Sequence, residues 1–173
     1  DRRDELHRYL ATEMAPGFEA LGFTCRTFEN PIERGGPFLV AERHEGNDVP
    51  TVMGYGHGDV VLGYDDQWHD GLDPWTLTKR GERWYGRGTA DNKGQHSINL
   101  AAMGAVLAER GSLGFNAVVL IETGEEAGSP GLREFCEAER ERFAADVFIA
   151  SDGPRLAPDR PTIFLGSRGT FGF

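Results

Sequence analysis

Only two cysteines, Cys25 and Cys136, occur in the 173 residues, so a disulfide-stapled scaffold is not indicated and a reducing, cytoplasmic compartment is expected. Long apolar runs are missing too. No stretch approaches the ~20 residues needed to span a bilayer, and the opening DRRDELHRYL is too charged for a secretory leader. Positive charge is scarce: 18 Lys+Arg stand against 28 Asp+Glu, for a formal net charge of -10. That field repels nucleic acid and anionic membrane, and neither is expected as a partner. Several motifs are absent as well. There is no G-x-S-x-G elbow for a serine nucleophile. GRGTADNKG fits neither the dinucleotide nor the P-loop glycine pattern. DDQWHDGLD has its glycine and terminal acid out of place for a calcium loop.

What is present is an ordinary globular composition, 39% hydrophobic and 27% charged, in a chain long enough for one core. Helix-like and strand-like segments alternate. RRDELHRYLATEM carries Leu6, Tyr9, Leu10 and Met14 at helical spacing, and APGFEALGF continues it to Gly22. TCRTFE, PFLVAER and TVMGYG read as strands. A polar, tryptophan-containing stretch follows over residues 64–87, with Trp68, Trp75 and Trp84 expected to pack the connection. DNKGQHSINLAAMGAVLAERG reads as a long helix closed by Gly111, and SPGLREFCEAERERF as a second, with Pro130 near its first turn. FNAVVLIETG and DVFIASDG read as buried strands, PTIFLGSRG as a last one. The pattern predicts an α/β fold: a three-layer α/β/α sandwich around a mostly parallel sheet.

In parallel sheets, ligands bind beyond the carboxyl ends of the strands. TVMGYG ends in His57-Gly58-Asp59, AVVLIETG in Glu125-Glu126 and DVFIAS in Asp152, while Asp91 precedes the long helix. Each has a bland explanation when taken alone: His-x-Asp as a bonded turn, GEEAG as a solvated loop, Asp91 as a helix cap, Asp152 as a turn former. Their joint placement at one rim is the sharper observation. His57 and Asp59, two apart in extended backbone, point to one side, so the carboxylate can orient a ligating imidazole. Glu125 and Glu126 diverge, leaving one for a metal and the other for a proton. One imidazole with several carboxylates suits zinc, manganese or cobalt better than calcium. Without a cation the crowded acids would be driven toward their neutral forms. His96 is expected to be structural, and His7, His44 and His69 to lie at the surface.

GHGDVV, WYGRGTADNKG, IETGEEAGSPGL and SDGP, in this order, resemble the di-zinc peptidase and deacylase family of carboxypeptidase G, acetylornithine deacetylase, succinyl-diaminopimelate desuccinylase and the carnosinase-type dipeptidases. The resemblance runs from about residue 37 to the end, and GEEAGSPGL leans toward the dipeptidase-like branch. It implies two zinc ions, with manganese or cobalt as alternatives. His57 and Asp152 would bind one, Asp91 would bridge both, and Glu126 would bind the other. It further implies Glu125 as general base and acid, Asp59 as the group orienting His57, and a cis bond between Asp91 and Asn92. Family members insert a lid or dimerisation domain after a segment like GSRG, and the returning chain carries the last histidine ligand. Residues 1–173 are therefore expected to be the N-terminal part of a catalytic domain.

The expected function of the parent protein is metal-dependent hydrolysis of an amide bond in a small peptide or N-acyl amino acid. A metal-held water would attack while Glu125 takes its proton. The parent is expected to pair as a homodimer through the lid, and the isolated chain to have little or no turnover. Two alternatives come from other classes: a non-catalytic binding module that kept the scaffold, and, less suited to the motif order, a di-metal phosphoesterase.

Overall fold

The computed structural model describes residues 2–69, 71–153, 156–157 and 159–164. The chain begins with a continuous helix built of α1 (Arg2–Tyr9), one π-helical turn (Leu10–Met14) and α2 (Ala15–Glu19). The wide turn has a local cause. Pro16 has no N–H to give, and the Ala15 N–H reaches back to the Leu10 carbonyl. Gly22, at φ 77, releases the chain into β1.

Five strands form the main sheet: β1 (Thr24–Phe28), β2 (Phe38–Arg43), β3 (Thr51–His57), β6 (Asn116–Glu122) and β7 (Val147–Ala150). Their order is β1-β2-β6-β3-β7. A separate ribbon pairs β4 (Thr78–Arg80) with β5 (Arg83–Tyr85) inside the connection read above as polar and tryptophan-rich. Helix α3 (Lys93–Arg110) closes at Gly111, whose φ is 73, as its sequence implied. Helix α4 (Leu132–Ala138) is shorter than expected, and Pro130 lies outside it. Gly131 enters in a left-handed turn at φ 82, and a Cβ there would collide with Asn30, so the helix begins only after it.

The α/β class holds, and alternation along the strands sends apolar side chains to both faces. Leu39, Ala41, Ala117, Val119 and Ile121 pack against the N-terminal helix and the Leu100, Met103, Val106 and Leu107 stripe of α3. Phe38, Val40, Val118 and Leu120 meet Phe135 of α4, where the Phe38 and Phe135 rings stack at 4.4 Å. The sheet is mixed: β3 is parallel to β6 and β7, while β2 runs antiparallel to both β1 and β6. The strand at 147–150, expected to be buried, is exposed, with Phe148 at 61%. It lies at the edge of the described sheet, bonded on one side to β3. Of the last expected strand, residues 161–164 are irregular and 165–173 lie outside the described residues, as does Pro154 of SDGP. Among the described residues no helix is long and apolar enough to cross a membrane.

Two crossovers position the site. From β3 the chain returns to β6 through α3 on one face; from β6 it returns to β7 through α4 on the other. Adjacent strands whose connections leave on opposite faces open a crevice at their carboxyl ends. The crevice falls at His57 and Glu122, which are register partners.

Candidate metal centre

His57 ends β3 and is fully buried. Its Nε2 lies 2.9 Å from an Asp91 oxygen, 3.6 Å from Asp152 and 3.7 Å from Glu125. Its Nδ1 faces Asp59, 3.2 Å from the carbonyl and 3.3 Å from a carboxylate oxygen. Asp59 holds the Nδ1 proton, so Nε2 is the ring position that faces the other acids, where a second proton or a metal ion would sit. Asp59 also accepts the Glu125 N–H at 3.2 Å and the Glu126 N–H at 3.0 Å. One carboxylate therefore fixes both the imidazole and the turn (Glu125–Ala127) that carries the two glutamates.

Electrostatics set the charge balance of the crevice. Burial alone would depress the His57 imidazole, yet bonding to Asp59 and the charges of Asp59, Asp152 and Glu125 push it up to about 9. Burial likewise works to raise Asp59, but His57 and the Glu126 N–H hold its carboxyl below the usual range. Glu125 is raised, first by burial and then by Asp152, Glu126 and Asp59. Acids that force a proton onto a buried imidazole mark a place with a surplus of negative potential. Two donor sets overlap there, each with ligand atoms within 4.8 Å of one another: His57, Asp91 and Glu126, and His57, Glu125 and Asp152. The set of one imidazole and carboxylate oxygens fits a divalent ion of the zinc, manganese or cobalt kind.

All six residues singled out from the sequence thus meet at one crevice. Asp91 does not serve as the cap of α3. That position belongs to Asn92, and the Asp91 side chain is 66% exposed beside His57. The bond between Asp91 and Asn92 is cis. His96 is buried and bonded to Tyr9 at 2.7 Å and Asn92 at 3.1 Å, a structural role. Trp68 packs its connection, donating to the Gly63 carbonyl, whereas Trp75 and Trp84 are more than half exposed.

Three groups escaped the sequence reading. Asn92 is fully buried, and its Oδ1 accepts the His57 N–H at 3.0 Å. Lys93 donates to the Gly58 carbonyl and lies 3.9 Å over the Tyr9 ring, and burial lowers its amine to about 8. Glu122 is buried and raised by that burial, and accepts hydrogen bonds from Tyr55 and from Ser129. An acid inside the apolar run AVVLIE was the one visible sign of the last.

An α/β sheet whose parallel strands deliver one imidazole and several carboxylates to a single crevice defines the class: an α/β fold with a candidate divalent-metal centre. The chain belongs to peptidase family M20/M25/M40, which it matches over residues 53–163. It is 32% identical over 167 residues to a cysteinylglycine-S-conjugate dipeptidase of Corynebacterium striatum, covering 95% of this chain and 36% of that relative. The solved structure of human carnosine dipeptidase 1 superimposes with a TM-score of 0.78 at 34% identity, over 87% of this chain and 33% of that one. An M20 family metallo-carboxypeptidase from Sulfolobus solfataricus gives 0.76 at 28% identity, over 87% and 33%. The chain therefore spans about a third of the length of these relatives. Divalent-metal use comes with the family.

Proposed function

We propose that the whole protein hydrolyses the amide bond of a small peptide, with a dipeptide as the leading substrate class and an N-acyl amino acid as the next. The observation that carries this is the pairing of Glu125 and Glu126 on one turn, each completing a different donor set with His57. Two ions, zinc by preference, would be held by His57, Asp91, Asp152 and Glu126. Bound there, they would polarise a carbonyl and lower the pKa of water toward ~7.

The chain's own groups do the rest. Asp59 keeps the proton of His57 on Nδ1, so that Nε2 stays a ligand. Asp91, exposed on its outer side, joins His57 and Glu126 in one of the two donor sets. Glu125, whose carboxyl is raised by burial and neighbouring acids, takes a proton from the attacking water and returns it to the leaving amine. The likeness to a cysteinylglycine-conjugate dipeptidase and to carnosine dipeptidase 1 supports small dipeptides as the substrate. In this reading the remaining ligand and the groups that grip the substrate carboxylate belong to sequence outside residues 1–173. Turnover and pairing as a homodimer are then properties of the whole protein. A cytoplasmic location is part of the proposal, supported by the free thiols of Cys25 and Cys136.

The test is hydrolysis of a dipeptide panel, including Cys-Gly and β-Ala-His, by the whole protein loaded with zinc or manganese. Glu125→Gln is expected to lower kcat by ~10²–10⁴-fold with metal binding kept within a few-fold. A Glu125→Gln protein that turns over normally overturns the assignment, and a wild-type protein inert on every amide favours the binding-module alternative.

A further inference from the structure

The loop that carries Asp152 follows β7, whose side chains are exposed, so apolar packing does little to hold it. Three amide side chains of the α3 end grip it instead. Asn92 Nδ2 donates to the Ser151 carbonyl at 2.7 Å, Gln95 Nε2 to the Gly153 carbonyl at 3.0 Å, and Asn99 Nδ2 to the Ser151 hydroxyl at 2.8 Å. The spacing of 92, 95 and 99 is three then four, which aligns them on one helix face. Both residues flanking Asp152 are thereby tied to one rigid element.

The same row reaches the other strand. Asn92 gives its second N–H to Gln95 Oε1, and its Oδ1 accepts the His57 N–H at 3.0 Å and His96 Nδ1–H at 3.1 Å. With Nδ1 of His96 donating, its Nε2 accepts from the Tyr9 hydroxyl, 2.7 Å away. Gly56 makes room: a Cβ there would lie 2.9 Å from both Asn92 Oδ1 and the His96 ring. Asn92 is the residue after Asp91, so one side chain links the backbone at three proposed ligands.

We infer that Asn92, Gln95 and Asn99 form an amide ladder that positions His57 and Asp152 for the metal, with Gln95 bonded to both Asn92 and the Asp152 loop and Asn99 to that loop. They touch neither metal nor substrate and are positioning residues. The inference rests on the metal centre proposed above.

Cobalt(II) titration of the whole protein, followed by its d–d absorption, tests it. The Gln95→Leu/Asn99→Leu double variant is expected to bind Co²⁺ at least tenfold more weakly and with an altered band shape, because outer-sphere partners orient ligands. Asn92→Ala is expected to do more. Ile98→Thr, 68% exposed on the same helix, is expected to leave affinity and spectrum unchanged. If Asn92→Ala does not fold, the double variant carries the test, since both of its side chains are partly exposed. Wild-type affinity and spectrum in the double variant overturn the ladder while leaving the centre standing. Failure of the wild-type protein to bind Co²⁺ overturns the centre, and the ladder with it.

Discussion

His57 is surrounded by groups that only make sense together. Asp59 is the clearest case, since it accepts His57 Nδ1–H and both glutamate N–H groups. Asp59→Ala is therefore expected to weaken zinc binding ~10–100-fold, measured by competition with a chelator, with little change in fold. His96 makes a separate prediction about pH. Burial first, then the charges of Lys93 and His57, lower its imidazole to about 4. The unfolded imidazole titrates near 6.5, so between pH 6.5 and 4 the unfolded chain binds the extra proton. The stability from burying neutral His96 is full above about pH 6.5 and is lost as pH falls, by about 3 kcal/mol at pH 4. Urea unfolding between pH 4.5 and 7.5 is expected to show a steeper acid loss in wild type than in His96→Leu, and equal slopes would refute the assignment.

At the scale of elements, β3 shows how a strand can serve two neighbours. Met53 and Tyr55 face the α4 side, while on the other face Gly54 lies beside Val119 and Gly56 makes room for Asn92 and His96 at the start of α3. Gly56→Ala is expected to destabilise by about 1–3 kcal/mol through overpacking against Asn92 and His96, and to weaken metal binding as well. A change in melting temperature without any change in affinity would separate the two roles. Much of this was legible beforehand. The apolar runs marked the strands, Gly111 marked the end of α3, and all six site residues stood at strand or helix ends. Three features were not legible. Strand direction has no signature in alternation, so the antiparallel pairing of β1, β2 and β6 was missed. An apolar run does not say whether it is central or at an edge, hence the exposed β7. Side-chain amides such as Asn92, Gln95 and Asn99 look like ordinary polar helix surface until their acceptors are known.

For the whole molecule, the organising fact is the reversal of strand order around β3. It brings the ends of β3, β6 and β7 and the start of α3 to one crevice, and it places one imidazole among five carboxylates, Asp59, Asp91, Glu125, Glu126 and Asp152. These acidic side chains gather where a divalent ion can neutralise them. The direct measurement is an anomalous difference map, recorded at the zinc absorption edge from crystals grown with zinc. The expected result is a peak about 2.0–2.1 Å from His57 Nε2, shared with carboxylate oxygens of Asp91 and of Asp152 or Glu126. Zinc found only elsewhere, with His57 Nε2 bonded to protein alone, would contradict the account.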